Sequence, residues 1–91
     1  MAQVIVTFKL MPEAPDSDLT KIAVAAKGIF TNFGAKLAKE ETEPVAFGLK
    51  AVKLMIIYDE KKGGTDALEA DLAKVPHVHG VEVVDVRRAI E

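Results

Sequence analysis

The sequence predicts an α+β fold in which two helices cover one face of a four-stranded antiparallel sheet. Three observations carry that expectation. Apolar residues alternate with period two near the start of the chain. They recur at three- and four-residue spacing in two later stretches, the period of a helix with one buried face. The longest apolar run lies between those stretches, where a central strand would stand.

The first element is read over residues 3–11. Val4, Val6, Phe8 and Leu10 fall on one face, and Gln3, Ile5, Thr7 and Lys9 on the other, which is the geometry of a strand with one apolar side. Pro12 and Pro15 break it. Asp16-Ser17-Asp18 then offers caps and first-turn acids for a helix. Leu19, Ile22, Ala23, Ala26, Ile29, Phe30 and Phe33 form its stripe, and Gly34 closes it. Gly28 inside that helix costs about 1 kcal/mol relative to Ala.

Residues 35–41 are weakly patterned and charged, which suits an edge strand because charge discourages pairing with other chains. Thr42 to Gly48 reads as a loop. Leu49 to Tyr58, broken only by Lys50 and Lys53, reads as a central strand. Asp59 to Gly64 is a turn, and Thr65 is the expected cap of a second helix carrying Leu68, Leu72 and Val75. Pro76 stops that helix. From Gly80, Val81 to Val86 forms the last strand, which finishes in Arg87 and Arg88; the adjacent Val83 and Val84 imply two partly buried faces or a bulge.

The order is therefore β-α-β-β-α-β. Right-handed crossovers leave few arrangements for it, and the ferredoxin-like split β-α-β is the expected one. Its strand order is 4-1-3-2, with the most apolar strands in the centre and the charged ones at the edges.

At 91 residues one domain, 1–91, is expected. The chain has no Cys, which excludes disulfides, thiolate metal sites and a Cys nucleophile and suits the cytoplasm. No stretch reaches the roughly 18 apolar residues of a membrane span. The net charge of −2, with both signs interspersed, argues against non-specific phosphate neutralisation. No membrane contact and no direct nucleic-acid contact are expected.

No catalytic constellation stands out. His77 and His79 lack a third metal ligand at a suitable spacing. Glu40, Glu41 and Glu43 read as a solvated face, not as paired carboxylates held apart in pKa. Gly63-Gly64-Thr65 opens a helix but lacks phosphate-loop spacing. Ser17, the sole Ser, has no triad partners. No cofactor is implied. Phe47, in a polar loop, is either a satellite of the core or an exposed anchor for a partner. Arg87 and Arg88 are either an ordinary chain end or guanidinium donors to a partner's carboxylate or phosphate.

Four stretches together resemble a known family. They are Lys9-Leu10-Met11-Pro12-Glu13, Glu43-Pro44-Val45-Ala46-Phe47-Gly48-Leu49-Lys50, Gly63-Gly64-Thr65-Asp66 and Val84-Asp85-Val86-Arg87-Arg88. The chain resembles the archaeal elongation factor 1-beta family, guanine nucleotide exchange factors of the GTPase elongation factor 1-alpha. The resemblance implies a ferredoxin-like fold and a binding function without chemistry of its own. It implies a GTPase partner, taken GDP-bound or nucleotide-free, whose GDP release is hastened. It also implies that the loop of Pro44, Phe47 and Gly48 docks on one domain of the GTPase. The end of the chain, with Arg87, Arg88 and Ile90, would then work at the magnesium and phosphate site. Eukaryotic relatives use a Lys there, and alignment on Asp85-Val86 puts Glu91 in its place.

Two other functions share this topology. An RNA-binding module would show aromatics on the open faces of the first and third strands, where Tyr58 is the candidate. An acylphosphatase-like enzyme would want an Arg in the loop after the first strand, which instead reads Met11-Pro12-Glu13-Ala14-Pro15.

Overall fold

The computed structural model describes residues 2–14, 16, 18–45, 48–63 and 65–90. The readings of Pro15, Ser17, Ala46, Phe47, Gly64 and Glu91 lie outside the described residues. The elements are β1 (Ala2–Pro12), α1 (Leu19–Phe33), β2 (Lys36–Pro44), β3 (Lys50–Asp59), α2 (Asp66–Ala73) and β4 (Val78–Ile90), with a 3-10 turn at Glu60–Lys62. The strands form one sheet in the order β2-β3-β1-β4, the expected order read from the other edge. All three pairings are antiparallel.

The alternation of β1 does what period two requires. Val6, Phe8 and Leu10 are fully buried and lie opposite Ile56, Leu54 and Val52 of β3. Ile22, Ala26 and Phe30 of α1, with Leu68 and Leu72 of α2, close over them to complete the core. Phe8 and Phe30 stack with ring centroids 5.7 Å apart, and Phe33 meets Tyr58 edge-on at 5.1 Å. Such aromatic pairs add about 0.5–1.5 kcal/mol beyond the area they bury.

Helix α1 is capped at both ends as its sequence predicts, but the expected first-turn acids are not there: Asp18 is itself the cap, and the turn that starts at Leu19 holds no acid. The Asp18 carboxylate accepts from Thr20 N at 3.0 Å and Lys21 N at 3.3 Å. Gly34 takes a left-handed conformation, φ 93°, and its N–H donates to Phe30 and Thr31 carbonyls. Helix α2 departs from expectation. Thr65 is helical itself, φ −83° and ψ −5°, and its side chain makes no capping bond, because a cap hydroxyl reaches forward only from an extended residue.

Two strand boundaries also differ from the sequence reading. β2 extends through Thr42, Glu43 and Pro44, which pair with Val52, Ala51 and Lys50. An edge strand is held by its ladder with the apolar β3, so its own pattern need not announce it, and Pro is tolerated at such an end. β4 begins at Val78 and continues through Arg87 and Arg88 to Ile90. The Val83-Val84 pair marks a bulge: the register with β1 shifts between Thr7 and Phe8, leaving Asp85 opposite Thr7 and Val83 opposite Phe8. The extra residue re-aims the second half of β4.

Candidate functional site

Antiparallel pairing fixes where the two suspected regions lie. Pro44 pairs with Lys50 at the start of β3. Arg88 pairs with Val4, and Val4 with Tyr58 near the end of β3. Eight residues of strand separate these rows, about 26 Å at about 3.3 Å per residue, along a molecule 42 Å long. The loop and the basic pair therefore occupy opposite ends of the sheet.

At the loop end, Val45 N donates to Leu49 O at 2.8 Å, closing the connection between β2 and β3. Pro44 and Gly48 are exposed. Gly48 has φ 76°, a conformation that glycine adopts without penalty, so the tight loop needs it there. Beside the loop, the Glu43 carboxylate lies 3.8 Å from the Lys9 ammonium and 4.0 Å from that of Lys53. Phe47 lies outside the described residues.

At the other end, the two arginines diverge because consecutive strand residues face opposite ways. Arg87 sits opposite Ile5 on the open face; its Nε donates to Asp85 Oδ2 at 2.8 Å, and its side chain is 74% exposed. Arg88 is on the helix side. Its Nη2 donates to Glu60 Oε1 of the 3-10 turn at 2.8 Å, and its side chain is 62% exposed. Both guanidiniums keep most of their donors in water. The backbone of Ile90 pairs with Ala2.

Sequence reasoning missed Asp85 and Glu60 as partners. Asp85 was accessible to it, since residues two apart on a strand share a face. Glu60 was not, lying 28 positions from Arg88 in a turn with no strand pattern.

Between the two ends, the open face carries a shallow depression of about 440 Å³, lined by Thr7, Lys53, Met55, Val84 and Arg87 among others. Lys39 and Glu41, two residues apart on β2, pair beside it at 2.9 Å. Their hydrogen bond, and then their mutual charge, raises the Lys39 pKa and lowers that of Glu41. Both are solvent-exposed, so the pair contributes little to stability.

Tyr58 corrects the RNA-binding reading. It is 3% exposed and belongs to the core, and burial raises its pKa. It cannot stack a base on the open face. His77 is exposed, adopts φ 70° and lies 3.9 Å from Glu13. Among the described residues no group of three or more metal-ligating side chains converges.

Comparison with known proteins bears on this geometry. The family model described as the EF-1 guanine nucleotide exchange domain matches residues 5–89. A relative in Methanococcoides burtonii, named elongation factor 1-beta, is 39% identical over 90 residues, covering 99% of this chain and all of its own length. Proteins of the same name in Methanobrevibacter smithii and Metallosphaera sedula are 41% and 40% identical, each over 97% of this chain and over 98% and 97% of their own lengths. Among solved structures, the ACT domain from a Chlorobium tepidum GTP pyrophosphokinase aligns with TM-score 0.61 at 19% identity, covering 90% of this chain and 99% of that one. The designed protein Foldit4 aligns with TM-score 0.64 at 14% identity, covering 98% of each. These two likenesses concern the fold alone.

Proposed function

The chain belongs to the elongation factor 1-beta family, which carries the EF-1 guanine nucleotide exchange domain, and we propose that it holds its GTPase partner from both ends of the sheet at once. Its function is nucleotide exchange in translation elongation; it is an exchange factor and not an enzyme, and it works in the cytoplasm. Its partner is elongation factor 1-alpha. The finer reading is that the whole chain, 1–91, acts as one exchange domain on the GDP-bound or nucleotide-free form.

The observation that carries the two-ended reading is the separation of Pro44–Gly48 from Arg87–Arg88 by about 26 Å of strand. No single small-molecule site spans that distance, whereas two domains of a GTPase do. In this reading Phe47 is the anchor at the loop end, flanked by Pro44 and Gly48. Arg87, Arg88 and Ile90 act at the other end, near the nucleotide.

The thermodynamics follow from linkage. A factor that binds the nucleotide-free GTPase more tightly than the GDP form weakens GDP binding by the same ratio. Magnesium is a large local charge at such a site. A guanidinium that competes for its carboxylates, or draws a nearby segment away, lowers the affinity for the phosphates. Arg prefers planar bidentate acceptors, so a carboxylate is the natural target for Arg87 or Arg88.

The test is release of a fluorescent GDP analogue from elongation factor 1-alpha with catalytic amounts of this protein. Faster release is expected. No acceleration would sink the exchange reading.

A further inference from the structure

We infer that Asp85 is a positioning residue for Arg87: it tethers the guanidinium on the open face of the sheet, ready for a carboxylate of the GTPase partner. This rests on the exchange reading above and gives one of its two arginines an orienting group.

Strand register supplies the first part of the argument. Val81 lies opposite Leu10 and Val83 opposite Phe8. Directly opposed residues share a face, so both valines point to the helix side with those buried partners. Carried on without interruption, that register would set Asp85 opposite Val6 and Arg87 opposite Val4, both on the helix side. The bulge at Val84 inverts the alternation. Asp85 instead stands opposite Thr7 and Arg87 opposite Ile5, which turns both to the open face. Bulges beside functional sites re-aim side chains in this way. The inserted residue gains no burial from it: Val84 has no partner in β1 and is 41% exposed.

The second part is how each guanidinium is held. Asp85 Oδ2 lies 2.8 Å from Arg87 Nε, the nitrogen nearest the aliphatic stem. Both residues belong to one strand and are fixed by their pairing with β1. Arg88 is held differently. Glu60 takes its terminal Nη2 from a turn 28 positions away, and so fastens that turn to β4. The Asp85–Arg87 contact fastens no second element. Among the described residues, neither of its members enters another ion pair.

The third part is what such a contact can do. With side chains 74% and 40% exposed, the pair adds little to stability. What it restricts is the guanidinium itself. Ordering a long side chain at an interface carries an entropic cost. An Arg already tethered at Nε has less freedom to lose. Its outer donors remain in water, free for the planar bidentate acceptor that Arg prefers.

The experiment is GDP-analogue release from elongation factor 1-alpha at rising factor concentration. It compares the parent, Asp85→Ala, Arg87→Ala and the double variant, with melting temperatures alongside. Asp85→Ala is expected to lower the maximal rate roughly threefold to tenfold. The half-maximal concentration should stay near that of the parent, and melting should shift by at most a few degrees. In the Arg87→Ala background the same change should leave the rate alone, because the group it positions is gone. Asp85→Asn, which keeps a carbonyl acceptor without the charge, should fall between parent and Asp85→Ala. Should Asp85→Ala unfold, Asp85→Asn carries the same comparison. A maximal rate for Asp85→Ala equal to or above that of an active parent would overturn the positioning role. So would an equal loss with and without Arg87, which would make Asp85 act independently of the guanidinium. An Arg87→Ala variant as fast as the parent would leave nothing to position and would overturn it as well. A parent that does not accelerate release would overturn the exchange reading and this proposal together.

Discussion

Arg88→Ala separates stability from function, because the structure gives different magnitudes for the two. The Arg88–Glu60 pair is a surface pair, with side chains 62% and 36% exposed. Pairs of that kind contribute about 0.2–1 kcal/mol. At about 4–8 °C per kcal/mol for a chain of this size, a mid-range loss lowers the melting temperature by about 2–4 °C. A guanidinium that meets a carboxylate in a desolvated interface is worth more, about 2–5 kcal/mol on truncation. The lower figure corresponds to roughly a thirtyfold slower GDP release at saturating factor. Thermal melts and stopped-flow release on the same preparations measure both. Glu60→Gln is the control: it removes the same ion pair, so it should cost similar stability while leaving the guanidinium free to act. A melting shift above about 10 °C would make Arg88 a structural residue. An unchanged release rate would remove it from the mechanism.

Other predictions concern the fold and its pH dependence. Burial raises the Tyr58 pKa above its usual 10.0, so the phenol is favoured protonated in the fold. That stabilisation is complete below pH 10 and is lost as pH rises through the folded value, because the unfolded chain ionises first. Denaturant titrations from pH 9 to 11 should show stability falling, and Tyr58→Phe should flatten the fall; an equal slope in both would refute the assignment. Asp18→Ala removes both α1 capping bonds and should cost about 1 kcal/mol in urea unfolding. Thr65→Ala, whose side chain makes no capping bond, should cost well under half of that.

The elements that were legible in the sequence are those whose side chains meet the core. β1, β3 and α1 each place apolar residues at the period of their structure, and those residues form the core or, like Val4, Leu19, Ile29 and Phe33, pack partly buried against it. The reach of β2 to Pro44 was hidden, because an edge strand is specified by the neighbour it pairs with. The missing side-chain cap of α2 was hidden for a different reason: Thr65 has the right chemistry, but its backbone is helical. The wide separation of the loop from Arg87–Arg88 followed from topology alone. What held each arginine did not follow, since Glu60 comes from a turn 28 positions away. Parity rules out Tyr58 as the stacking residue that the RNA-binding alternative would need, since Tyr58 shares its face with the buried Leu54 and Ile56.

The two-ended account is tested most directly by titrating the exchange factor in the GDP-release assay with Phe47→Ala and with Arg87→Ala/Arg88→Ala. The account predicts that Phe47→Ala raises the factor concentration needed for half-maximal release while keeping the maximal rate and the melting temperature. It predicts that the double Arg variant lowers the maximal rate more than it shifts that concentration. Unfolding of Phe47→Ala would make Phe47 a core residue, and a double Arg variant with an unaltered maximal rate would contradict the account.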